Sequence, residues 1–207
     1  MLLAYRDDGN ATREPAMLWK PSEAELRQIL HDHRLWLHTK DFSPRSASRR
    51  QGQPADLSRA DLRGADLSGV DVREATLREA DLSRANLFMA QLHRADCTAT
   101  IFRGADLAGA GLGATNLTGA DLREADLTSA DLSGVRFLGA DFRGARVEEV
   151  DIDAVPWTQL AEAHLPDSTA WRCAWRLGQE EAERLAQEHP SPPSPLRSVR
   201  GYYLGGC

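Results

Sequence analysis

From residue 55 to residue 154 the chain repeats in steps of five without a slip, from Ala55-Asp56-Leu57 to Val150-Asp151-Ile152, giving twenty copies. Neither regular element accepts that period. In a helix a step of five turns through about 140°, so the leucines would spiral around the axis; in a flat strand an odd step sends them to alternate faces. The backbone therefore has to turn a corner once per repeat.

The composition of each repeat says how. Its first position is Ala fifteen times, with Val70, Val135, Val150, Thr100 and Thr115 as exceptions. The third is Leu thirteen times, otherwise Phe102, Phe137, Phe142, Val72, Val147, Ile152 or Cys97, and the second is Asp twelve times, with Asn86 and Asn116 beside them. Small apolar, polar, large apolar is a short strand-like alternation that points the first and third residues inward and the acid outward. The fourth and fifth residues, often Ser-Gly, Arg-Gly or Arg-Glu, carry the turn formers and make the corner.

This A(D/N)LXX pattern resembles that of the pentapeptide-repeat family. The resemblance implies an all-β solenoid, a right-handed quadrilateral β-helix with four repeats per coil. About five coils over residues 55–156 would make a rod about 24 Å long at ~4.8 Å per stacked strand.

A solenoid exposes unpaired edges at both ends, and both flanks read as covers for them. After an N-terminal segment, 1–20, residues 21–40 read as an amphipathic cap helix. Ser22 and Glu25 have capping-box spacing, and Leu26, Ile29, Leu30, His33, Trp36 and Leu37 fall on one stripe. Residues 41–54 are polar, basic and rich in turn formers, as a flexible linker would be. Residues 157–189 read as a C-terminal helical cap, a short helix at about 157–165 followed by a longer one from about 168. Trp171, Trp175 and Leu185 line one face of the longer helix, as cap core or as the surface of a homodimer. The tail, 190–207, has too many prolines and glycines for a packed element. It ends in "GYYLGGC", which leaves a carrier reading open, with Cys207 and its neighbours as the substrate of a modifying enzyme.

Composition bounds the function. The chain has no run of about 18 apolar residues to span a membrane, and "MLLAYRDDGN" is too short and soon too acidic for a secretory signal. Three cysteines, an odd number, suit a reducing, cytoplasmic setting. Catalytic, metal and cofactor constellations are not readable: the six histidines are scattered, and "GAGLGA", 109–114, falls in register with the repeats instead of opening a helix as a phosphate loop must. The expectation is a protein that is not an enzyme and takes no cofactor.

Charge is the remaining clue. Residues 55–154 hold 13 Asp and 5 Glu against 11 Arg and no Lys, a net charge of −7, so the acidity belongs to the rod. Four repeats per coil would stack every twentieth residue and permit a tally by side. The side centred on 57, 77, 97, 117 and 137 cancels. The second, centred on 62 to 142, sets Asp61, Asp81, Asp121 and Asp141 beside Arg63, Arg103, Arg123 and Arg143, and also cancels. The third, centred on 67 to 147, carries Asp66, Asp106, Asp126, Glu148 and Glu149 against Arg146. The fourth, centred on 72 to 152, carries Asp71, Glu74, Asp131, Asp151 and Asp153 against Arg73 and Arg94.

Two adjacent acidic sides suit a basic protein partner and exclude direct nucleic-acid binding, which needs a basic footprint. In the quinolone-resistance branch of the resembled family an acidic rod stands in for duplex DNA on bacterial type II topoisomerase. The resemblance therefore implies DNA gyrase as a candidate partner. Seven charges over about 24 Å is about half the charge density of duplex DNA.

Overall fold

The computed structural model describes residues 18–39, 52–151, 164 and 166. Across 52–151 the pairing is of one kind: parallel bridges join residue n to residue n+20, from Asp56 with Thr76 through Asp126 with Arg146. Four five-residue repeats therefore make one turn, and each turn lies on the next as a parallel coil. Each side has three residues between corners, so pairing takes the form of single bridges and no multi-residue strand occurs among the described residues.

Each repeat is held in two directions. Along the axis, Leu57 N–H donates to Thr76 O at 2.7 Å, Arg59 N–H to Arg78 O at 2.8 Å and Thr76 N–H back to Ala55 O at 3.0 Å, and the pattern recurs with each step of five. Around the coil, Ala60 N–H donates to Leu57 O at 3.1 Å and closes the corner as a turn. That closure forces the fifth residue of the repeat into the left-handed region. From Arg59 to Glu149 every fifth residue has φ between 56° and 71°, and eleven of these are not glycine. Glycine is common there because it occupies this region without a Cβ penalty.

The inward positions fill the interior. Leu57, Leu77, Leu87, Leu107 and Leu127 are buried, as are the alanines between them, apart from Ala65 near the first coil, which is half-buried. Cys97, a small interior side chain, shares a coil with the larger Phe102, and Phe137 meets Phe142 edge-on at 5.5 Å. Thr100 and Thr115 stand in Ala positions fully buried because their hydroxyls donate to Leu77 O at 2.6 Å and Leu92 O at 2.7 Å. Burial pushes the Cys97 thiol well above its ordinary pKa, with Asp96 adding to the effect, so it behaves as a small apolar side chain.

Helix α1, Glu23–Thr39, lies against the first coil. Its start is fixed by the reciprocal pair in which Ser22 N–H donates to Glu25 Oε2 at 2.7 Å and Glu25 N–H to Ser22 Oγ at 3.2 Å. Leu26, Ile29 and Leu30 pack on the core, and the buried His33 accepts Ala55 N–H on Nδ1 at 3.0 Å while stacking on Trp36. Gly52 passes so close to the α1 backbone at Asp32 that a Cβ would collide with the carbonyl.

Two features depart from the sequence reading. Trp19 belongs to the ladder and not to a separate N-terminal segment: it bridges Ala60, accepts Asp61 N–H at 2.8 Å, and its indole donates to Ser58 O at 3.0 Å. At the other end His164, expected inside a short helix, pairs in parallel with Asp141, donating to Ala140 O at 2.9 Å and accepting Phe142 N–H at 2.7 Å. An open coil edge offers backbone groups that a strand satisfies and a helix cannot. Both additions sit on the second side. Residues 41–51 of the linker, the C-terminal cap apart from residues 164 and 166, and the tail lie outside the described residues.

Position 99 separates backbone strain from packing. Ala99 is exposed with φ 56°, so Ala99→Gly should stabilise the protein by about 1 kcal/mol, while Leu107→Ala should cost about 2–5 kcal/mol. Urea denaturation of both variants measures this, and a destabilised Ala99→Gly would contradict the corner geometry.

A candidate partner-binding surface

The acid of each repeat has a structural duty that its outward position conceals. The N–H of the fourth residue points into the corner, away from the neighbouring coil, and needs an acceptor. Asp56 Oδ1 accepts Ser58 N–H at 3.0 Å, Asp106 accepts Ala108 N–H at 3.0 Å and Asp131 accepts Ser133 N–H at 2.9 Å. Asn86 and Asn116 do the same for Phe88 and Thr118 at 3.1 and 3.3 Å. The shared feature is a carbonyl-type oxygen two residues before the corner amide, an Asx turn. Much of the rod's acidity is thus the by-product of corner chemistry.

Charges on top of that duty differ by side. On the second side Arg63 binds Asp61 at 2.7 Å and reaches Asp81 at 3.8 Å, and Arg123 binds Asp121 at 2.5 Å and reaches Asp141 at 3.7 Å. This is a ladder in two halves, broken where Ile101 replaces the acid. There Arg103 turns to Glu124 at 2.9 Å.

The fourth side brings its two arginines onto acids of the first coils, and a histidine next to a third acid. Arg73 grips Asp71 with two hydrogen bonds of 2.8 and 2.7 Å, Arg94 stands 3.9 Å from Glu74, and His93 Nε2 lies 3.5 Å from Asp131. The histidine reaches across an intervening coil to do so, over Gly111 and Gly113. A methyl at 111 would collide with its ring, and one at 113 would come within 3.0 Å of it. The glycines of "GAGLGA" are therefore the floor beneath His93. His93 escaped the sequence tally because a residue 38 positions away is a neighbour only once the coil is built.

On the third side Arg146 binds Asp126 at 2.9 Å and approaches Glu148 at 3.7 Å, and Ser129 donates to Glu149 at 2.6 Å. Asp66 and Asp106 are exposed. Among the described residues they are held by hydrogen-bond donors alone: Ser68 N–H and Asn86 Nδ2 on Asp66, Ala108 N–H on Asp106. Asp151 is exposed at the end of the described coils, while Asp153, Trp171, Trp175 and Leu185 lie outside the described residues. The sequence reading also missed Phe88 and Met89, two of the few large apolar side chains left exposed. Their signal was two apolar residues in the corner positions of one repeat.

The hydrogen bonds also set the acid response. The Arg63 guanidinium draws the Asp61 carboxyl down from 3.8 to about 2, and Ser68 holds Asp66 below the usual range. Arg73 lowers Asp71, Arg123 lowers Asp121 and Ser133 lowers Asp131. At Asp126 and Asp141 burial acts upward, but the hydroxyl of Thr128 with its amide and the guanidinium of Arg143, respectively, outweigh it. Among the described residues no three His, Cys, Asp or Glu side chains gather as a metal site, and no helix is long and apolar enough to cross a membrane.

The sequence model for pentapeptide repeats matches 8 copies, over residues 55–88 and 111–148. The pentapeptide-repeat protein Rfr23 of the cyanobacterium Cyanothece 51142 is 30% identical over 49% of this chain and 70% of its own, with a TM-score of 0.39. This chain belongs to the pentapeptide-repeat family. Its fold is the family's right-handed β-helix solenoid. The pentapeptide-repeat protein alr5209 of Nostoc is 33% identical over 45% of this chain and 84% of its own, with a TM-score of 0.18. QnrB1, a plasmid-mediated fluoroquinolone resistance protein, is 16% identical over 70% of this chain and 76% of its own, at a TM-score of 0.31. No curated protein sequence matches.

Lowered carboxylate pKa values mean that the folded state favours the ionised form. That stability is present above the ordinary value near 4 and is lost as pH falls through the folded values toward about 2. Melting followed by circular dichroism at constant ionic strength should be flat from pH 7 to about 5 and fall steeply between about 4 and 2. A midpoint that rises over that interval would contradict the hydrogen-bonded corner carboxylates.

Proposed function

We propose that this pentapeptide-repeat protein is a non-catalytic interaction protein whose third and fourth sides present carboxylates to a basic groove on a partner protein. The observation that carries the reading is the contrast between sides. The second-side acids are locked to arginines, whereas Asp66 and Asp106 stay exposed and hydrogen-bonded only to neutral donors. An ionised group without a cation beside it keeps its long-range field for a partner.

In the full form of the proposal five coils are capped by α1 at one end and by residues 157–189 at the other. The setting is the bacterial cytoplasm, and the DNA-binding groove of a type II topoisomerase such as DNA gyrase is the named target. A homodimer joined through Trp171, Trp175 and Leu185 would double the acidic length, and solution mass reports it.

Purified DNA gyrase supplies the test. Added protein should inhibit supercoiling, or protect gyrase from a quinolone, at micromolar concentration. Removing charge while keeping the corner acceptors, with Asp66→Asn, Asp106→Asn and Glu149→Gln combined, should weaken the effect about tenfold and flatten its salt dependence. Wild type that neither inhibits nor protects would remove gyrase as the partner.

A further inference from the structure

Phe88 and Met89 stand in the middle of the third side, 49% and 53% exposed. Corner positions elsewhere on that side are small or polar: Ser68-Gly69, Ala108-Gly109, Thr128-Ser129 and Glu148-Glu149. Met89 takes the left-handed corner conformation, φ 58°, where the coils on either side use Gly69 and Gly109. Its sulfur lies over Gly109, 2.6 Å from where a Cβ would be. Two adjacent large apolar side chains shown to solvent, where the other coils of the same side carry small or polar residues, mark an interaction surface.

We propose that Phe88 and Met89 form an apolar anchor, flanked by Asp66 and Asp106, for a cationic protein surface that offers an apolar recess. This rests on the acidic-side reading above and specifies the partner. The charge selects that occupant. Asp66 and Asp106 lie one coil to either side of Asn86, which bridges both neighbours and accepts Phe88 N–H at 3.1 Å, so the pair emerges between two exposed carboxylates about 5 Å away along the axis. A second copy docked through the same side would set carboxylate against carboxylate. An anionic bilayer or a nucleic acid would meet the same repulsion. A cationic surface is drawn in by the carboxylates, which set the encounter rate and register, while desolvation of the Phe ring and the Met thioether slows release.

Two synthetic peptides of equal length and charge separate the anchor from the electrostatics: an amphipathic helix of Lys and Leu, and its counterpart with every Leu replaced by Ser. The folded full-length protein, labelled at methionine methyl groups, is titrated with each by NMR. The Lys/Leu peptide should bind about tenfold more tightly than the Lys/Ser peptide and shift the Met89 methyl resonance. Phe88→Ser with Met89→Gly, which installs the Ser-Gly pair of the coil below, should abolish that difference and leave Lys/Ser binding and its salt slope unchanged. Equal affinities for the two peptides, or a Lys/Leu preference that survives in the double variant, would overturn the anchor while the acidic-side reading stands. Failure of both peptides to bind would overturn both.

Discussion

In most repeats an Asp or Asn side chain accepts a hydrogen bond from the amide two residues on and secures the corner, and the rest of the solenoid depends on the corner. The ladder satisfies the third and fifth N–H of a repeat through the next coil, the second through the preceding coil, and the first through the turn. The fourth N–H is left, at a bend where no neighbouring backbone can reach it. A short side-chain acceptor one position before the central Leu supplies what the backbone cannot. The repeats of Thr76, Gln91, Ile101, Gly111, Arg136 and Arg146 lack that acceptor and keep the same corner φ, carried by the regular neighbours; the chain turns every five residues, coils stack at a step of twenty, and Ala and Leu close a continuous interior.

This explains why the architecture was readable in the sequence and part of the chemistry was not. Inward Ala and Leu recur with no slip, so register and core could be assigned residue by residue, and the capping box at Ser22 and Glu25 placed the start of α1. The Asp of each repeat looked like a solvated surface because one-dimensional pattern shows outward orientation and not the amide beneath it. Contacts between coils were harder. His93 meets Asp131 across two coil steps. The ladder of the second side breaks at Ile101, where no acid stands to receive Arg103. Trp19 and His164 join the edges at spacings that the five-residue period does not contain. Each depends on which residues the coil brings together.

The same distinction bears on function. If most carboxylates exist for the corner, net charge alone is a poor guide to a binding surface, and the informative acids are those whose charge the fold does not use. Arginines take up Asp61, Asp121 and Asp141 on the second side and Asp71 and Glu74 on the fourth. Asp66 and Asp106 keep theirs, on the side where Phe88 and Met89 also break the polar rule for corners. Phe88 and Met89 stand on the same side as Asp66 and Asp106, and on that juxtaposition the functional reading rests.

The central claim is that the acid serves the corner as an acceptor and serves a partner as a charge, and Asp106 separates the two. Its Oδ1 accepts Ala108 N–H at 3.0 Å. Urea denaturation of Asp106→Asn and Asp106→Ala at neutral pH decides the matter. The account predicts that Asn stays within about 0.5 kcal/mol of wild type while Ala loses about 1 kcal/mol, the cost of an orphaned corner amide. Asn and Ala equally destabilised, or both neutral, would contradict it.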